Sequence, residues 1–169
     1  VYRLFSSKIG ILKSLLDVSI VGDDEEVPMA QRPHVQSLLR APDARSQLAG
    51  FAAVTVDVNR RVAPVYRILV SAAGTDPDAV ELLDELTTQR QQGQRMIARS
   101  LARAGALRPG VRERDAADVI HALMSPEVFR LLVVDRGWKP DRYERWLTAT
   151  LADQLLPPDP PPRASGRGS

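Results

Sequence analysis

Apolar residues recur along this chain at three- and four-residue steps, the spacing that lines one face of an α-helix. Ile9, Leu12, Leu15/Leu16 and Ile20 form the first such stripe. Ser7 stands where a side-chain oxygen can accept from the free N–H groups of a first helical turn. Gly22 suits a left-handed stop, and the acidic run at 23–26 reads as a solvated loop. A second helix is expected from Pro33 to before Pro42. A third starts at Pro42, where a missing N–H costs nothing in a first turn. Its stripe is Leu48, Phe51/Ala52, Thr55, Val58 and Val62. Pro64 lacks a backbone donor and its ring crowds the preceding turn, so the pattern predicts a kink or break at 61–63, then a shorter helix to about Ala73.

Thr75-Asp76-Pro77 is a restart signal, a cap residue followed by proline at the first helical position. The helix from Pro77 to about Ala104 should be the longest. It carries Asp78, Glu81, Asp84 and Glu85 early and Arg90, Arg95, Arg99 and Arg103 late. That order complements the helix dipole, at roughly 0.3–1 kcal/mol for each charge in a terminal turn. Gly105 and Pro109-Gly110 end it. Ala116, Val119/Ile120, Leu123 and Met124 mark a further helix, bent or split at Ser125-Pro126-Glu127 and stopped by Gly137. Pro140 opens the last, with the stripe Tyr143, Trp146/Leu147, Thr150/Leu151 and Leu155. Residues 157–169 are rich in Pro, Gly, Ser and Arg without periodicity, a composition expected to be disordered. No alternating strand pattern appears, so the expected class is all-α.

Composition adds exclusions. The 169 residues suit one sizeable core, and 44% hydrophobic with 26% charged residues is ordinary for a globular domain. No run of apolar residues is long enough to span a bilayer as a helix, and no signal-peptide pattern opens the chain. The absence of cysteine excludes disulfides and thiolate-held metals and is compatible with a cytoplasmic location. A net charge of +2 does not by itself imply nucleic-acid binding.

The run Tyr2-Arg3-Leu4-Phe5-Ser6-Ser7-Lys8, followed by Leu12 and Leu15-Leu16, resembles the end of the helix-turn-helix in TetR-family transcriptional regulators. There an aromatic pair and a Gly/Ser-Lys step join the recognition helix to the long fourth helix. The resemblance continues at Ala104-Gly105-Ala106-Leu107-Arg108, Ala116-Ala117-Asp118, Leu123-Met124-Ser125-Pro126-Glu127 and Arg136-Gly137-Trp138. It ends in the stretch 143–151, which is similar to actinobacterial members, and it covers about residues 1–156. It implies a TetR-like ligand-binding and dimerisation domain over 8–156, preceded at 1–7 by the end of a recognition helix. The family's first two helices and the start of the third have no counterpart here. Val1 also opens inside an apolar pattern without an initiator Met, so the chain is expected to be cut within its DNA-reading helix.

The resemblance implies a ligand-responsive DNA-binding regulator, a repressor by the family's common mode, whose partners are operator DNA, a small and largely apolar effector and a second copy of the chain. Tyr2 would then reach a phosphate oxygen, and Lys8 would add its ammonium to the free N–H groups of a first turn, where phosphate is favoured. The competing reading makes Tyr2 a small-core residue and Lys8 a solvated one. Phe51, Thr55, Tyr66, Met96, Met124 and Phe129 are the candidates for the effector pocket, against ordinary core packing. Ile120, Leu123, Leu147 and Leu151 are the candidates for the dimer interface, where truncating a central apolar contact costs on the order of 2 kcal/mol. His121 reads as a satisfied core or interface histidine. With only His34 beside it in the composition, no metal site and no cofactor are expected. GxSxG, HExxH and phosphate-cradling glycine loops are missing, which argues against an enzyme. The alternative function is a helical ligand-carrier or protein-interaction module without DNA binding.

Overall fold

The computed structural model describes residues 7–22 and 29–158, and within them all regular structure is helical, as the periodicity predicts. The first helix, α1 (Lys8–Val21), begins under Ser7, whose Oγ accepts from the Gly10 N–H at 3.0 Å. It ends at Gly22, which takes φ +80° and donates its N–H to the Val18 carbonyl at 2.7 Å. Leu16 is fully buried, with Ile9, Leu12 and Ile20 packed around it. Leu15 departs from the expected stripe. It turns outward, 49% exposed, with Ile11 and Val18 on the same side of the helix.

A 3₁₀ turn (Met29–Gln31) leads into α2 (Pro33–Leu39). The long α3 (Ala44–Ala72) is capped by Asp43, which accepts from the Arg45 and Ser46 N–H groups, so Pro42 lies just outside the helix and not in its first turn. The predicted break at 61–63 is absent: α3 runs unbroken through Pro64. Pro64 and Arg60, four residues earlier on the same face, are both exposed, so the carbonyl that loses its partner is directed to water. On the opposite face Val62 and Leu69 are buried, which fixes the helix on both sides of the proline against one neighbour. Packing outweighs a local cost of roughly 3 kcal/mol.

Asp76 accepts from the Asp78 N–H at 3.0 Å and starts α4 (Pro77–Arg103), which returns antiparallel along α3. The helix α5 (Glu113–Leu123) lies against α4 in the most extensive helix pairing of the fold. Ser125 caps the short α6 (Pro126–Phe129) by accepting from Val128 N–H at 3.2 Å. The chain then widens into a π-helical stretch (Arg130–Asp135) that the sequence pattern did not announce. Gly137, at φ +67°, turns the chain into α7 (Pro140–Leu155), which packs on α3 and α5. No helix among the described residues is long and apolar enough to cross a membrane.

The apolar interior falls into two clusters. The larger joins Phe51, Ala52 and Val56 of α3 to Ile97, Ala98 and Leu101 of α4, Ile120 of α5 and the inner face of α7. Phe129 meets Tyr143 edge-on there, with ring centroids 5.4 Å apart. The smaller holds Leu16 of α1 with Val62 and Leu69 of α3 and Ala79 and Leu82 of α4. What separates the two is polar.

Candidate ligand-binding site

Between the clusters, α3 presents Asn59 and α4 presents Arg90 and Gln94 on the faces that elsewhere carry Val, Leu and Ile. Their levels follow from the antiparallel pairing. Gln47 Nε2 donates to Ser100 Oγ at 3.0 Å, fixing one rung between α3 and α4. About two turns along each helix from that rung stand Thr55 and Gln94; about three turns along stand Asn59 and Arg90. Asn59 and Gln94 are each 5% exposed and Thr55 is 8% exposed. The middle of this helical pair is therefore a polar layer inside an apolar wall.

Side chains from α3, α5 and α6 complete it. The Tyr66 hydroxyl, two turns beyond Asn59 on α3, donates to Glu127 Oε1 at 2.7 Å. The second Glu127 oxygen lies 3.8 Å from an Arg90 guanidinium nitrogen, a loose ion pair. Gln94 Oε1 lies 2.7 Å from His121 Nδ1. An amide oxygen can only accept, so Nδ1 carries the proton and donates.

Charge states follow from these contacts. Burial raises the Tyr66 hydroxyl well above the ordinary phenol range and the Glu127 carboxylate adds to this, so Tyr66 remains a donor. Burial pushes the Glu127 carboxyl up, but the Tyr66 hydroxyl, its own backbone N–H, the Arg90 charge and Ser125 together hold it below the usual value. Burial, reinforced by the Arg90 charge, lowers the His121 imidazole despite the opposing pull of Glu127 and Asp118. The layer at neutral pH thus contains a guanidinium, a carboxylate and a neutral imidazole.

Two donors in it are left over. Asn59 Nδ2 and Arg90 Nε are buried without a hydrogen-bond partner. A buried donor left unpaired costs about 1–3 kcal/mol, more when charged. The two stand at about the same level of the α3–α4 pair. The arrangement can bind and orient a small molecule. It offers no nucleophile paired with a base, and among the described residues no cluster of His, Asp and Glu could hold a metal ion.

No protein-family model, no curated protein and no solved structure matches the chain. The geometry therefore stands on its own.

The residues singled out from the sequence fall in different places. Of the pocket candidates, Thr55 and Tyr66 border the polar layer. Phe51, Met124 and Phe129 are buried in the larger apolar cluster beside it. Met96 lies on the outer side of α4, 38% exposed, because it follows Gln94 by only two residues and so points away from the layer. It is not a wall residue. Of the interface candidates, Ile120, Leu147 and Leu151 are completely buried within the single chain. A side chain with no exposed surface has none to offer a second copy, so these three are core residues. Leu123 is half-buried at the margin of the same cluster. Lys8 is exposed in the first turn of α1, where the sequence put it; Tyr2 lies outside the described residues, as do the rest of 1–6 and the tail from 159.

The reading from sequence passed over Asn59, Arg90, Gln94 and Glu127. Their signal was present: Asn59 falls one turn after Thr55 on an otherwise apolar stripe, and Gln94 interrupts the stripe that resumes at Ile97. What periodicity could not show is that these interruptions lie level with each other. His121, read as a satisfied core or interface histidine, has a partner in Gln94.

Proposed function

We propose that this chain is the effector-sensing body of a TetR-like, ligand-responsive transcriptional regulator. The observation that carries the sensing role is the polar layer contributed by α3, α4, α5 and α6, with its two unpaired buried donors and with Glu127 at its solvent-exposed margin. A few convergent polar groups set among apolar side chains are what small-molecule sites present to a ligand. The regulatory half of the reading rests on the resemblance of Tyr2 to Lys8 to the joint between a recognition helix and the helix that follows it. In that reading α1 links the DNA-reading head to the sensor.

The fold supplies a mechanical connection suited to such a role. Arg61 of α3 donates from Nε to the Ser19 carbonyl at 2.8 Å and from its terminal nitrogen to the Ile20 carbonyl at 3.2 Å. The helix that carries Asn59 is thereby fastened to the C-terminal end of α1. A ligand that shifts α3 shifts α1, and with it the spacing of two heads that matched half-sites require to be fixed. Repression relieved by effector is the mode this reading proposes, as the family's common one.

The test uses the gene product as the cell makes it. A compound that raises its thermal midpoint should release it from DNA selected from its own genome. By reciprocity, DNA should weaken binding of that compound by the same factor. Equal compound affinity for free and DNA-bound protein refutes the coupling, and failure to select any DNA refutes the regulator reading while leaving the sensor.

A further inference from the structure

We infer that the molecule held in the polar layer is largely apolar and presents a carbonyl or carboxylate oxygen to Arg90 and Asn59, and that its amine counterparts are rejected. This rests on the ligand-sensing reading above and specifies its chemistry. The unmatched valences in the layer decide the class. An asparagine amide can turn to show either its nitrogen or its oxygen, so Asn59 alone leaves the question open. Arg90 closes it, because a guanidinium has only donors, and its buried Nε has no partner.

The carboxylate that approaches Arg90 makes its hydrogen bond elsewhere. Glu127 gives Oε1 to Tyr66 at 2.7 Å and approaches Arg90 only through Oε2 at 3.8 Å. Gln94 directs its oxygen to His121 at 2.7 Å. With the Gln94 oxygen committed to His121 and Glu127 held beyond hydrogen-bond distance of Arg90, a ligand oxygen near the level of Arg90 and Asn59 completes the set. An ammonium there could be accepted by a turned Asn59 amide but would face the Arg90 charge and leave Arg90 Nε unmatched. The rest of the molecule would meet the buried apolar residues that flank these positions along the helices, Val56 and Val62 on α3 and Leu82 and Ile97 on α4.

The experiment takes octyl, norbornyl and naphthyl skeletons, each as hydrocarbon, methyl ketone, carboxylate and primary amine, and measures thermal shift and Kd on the intact gene product. For at least one skeleton the ketone or carboxylate should bind about tenfold or more tightly than the matched hydrocarbon and amine, the size of one buried hydrogen bond. Binding should move the Arg90 Nε–H proton resonance downfield. Asn59→Leu, nearly isosteric, and Arg90→Met should each remove about that tenfold advantage and leave hydrocarbon affinity unchanged. The Arg90 side chain retains 23% exposure, so Arg90→Met remains a usable variant if Asn59→Leu does not fold, as circular dichroism will show. An amine or hydrocarbon that binds as well as its oxygenated partner overturns the assignment, as does acceptor preference that survives the substitutions. In either case ligand sensing stands. Absence of binding by every member of every skeleton overturns the sensing reading and this one with it.

Discussion

Removing the Arg61 guanidinium should loosen α1 from the rest of the domain without unfolding the domain. The last turn of α1 leaves carbonyls without intrahelical partners, and Gly22 N–H serves only that of Val18. Arg61 takes the next two, Ser19 at 2.8 Å and Ile20 at 3.2 Å, placing a positive charge at the negative end of the helix dipole. Enclosed hydrogen bonds from a charged donor contribute about 1.5–3 kcal/mol each. With 34% of the Arg61 side chain exposed, water competes for both carbonyls, which brings the pair down to about 1–2 kcal/mol. The dipole term adds about 0.3–1 kcal/mol. Arg61→Met keeps the aliphatic stem and should therefore cost roughly 1–3 kcal/mol, a fall of roughly 2–12 °C in thermal midpoint for a domain of this size. The specific signature is amide hydrogen exchange: protection should drop along α1 and stay unchanged in α5 and α7. Asp57, whose carboxylate meets Arg61 at 3.0 Å but is 67% exposed, provides the control. Asp57→Ala should change stability by no more than about 0.5 kcal/mol. If α1 in Arg61→Met remains as protected as in the parent and the midpoint does not move, the clamp has no energetic content and the proposed path from α3 to α1 loses its link.

Three further outcomes follow from the same contacts. Leu151 is completely buried, so Leu151→Ala should lower stability by about 2–5 kcal/mol, measured by urea unfolding, with a loss independent of protein concentration; a concentration-dependent loss would return Leu151 to an interface. His121 is lowered from its ordinary value of 6.5 by burial first and the Arg90 charge second. The unfolded chain therefore binds a proton before the folded one does. Stability from this group is present above about pH 6.5 and is lost as pH falls from there through the folded value. Melts of His121→Gln across that interval should show a shallower acid slope than the parent, and an identical slope would exclude His121 as its source. Tyr66→Phe removes the strongest partner of Glu127 and should cost about 1 kcal/mol. It should also raise the Glu127 carboxyl pKa toward its ordinary value, read by carbonyl NMR, because burial would then be less opposed.

Most of the element boundaries were legible in the sequence because they are local. Ser7, Asp76 and Ser125 cap helices by reaching N–H groups two or three residues away, and Gly22 and Gly137 take a positive φ within their own backbone. Such signals need no distant partner, so they survive in one dimension. The stripe of Leu48, Phe51/Ala52 and Val62 likewise marked the buried face of α3.

Tertiary structure decided the rest. Pro64 carries the same local penalty in any context, but it lies on a solvent face of a helix whose other side is anchored by Val62 and Leu69, and α3 continues. Ile120, Leu147 and Leu151 had the apolar character of either a core or an interface; only the packing of α5 and α7 on one chain consumes their surface. The candidate site depended most on three dimensions. Asn59, Arg90, Gln94, His121 and Glu127 belong to four helices, and each taken singly looks like a polar residue interrupting a stripe. The antiparallel pairing of α3 with α4 brings Asn59 level with Arg90, and the turn into α6 brings Glu127 between Arg90 and Tyr66. A sequence specifies which side chains are polar; which of them are brought together, and which are left without a partner, is a property of the packed helices alone.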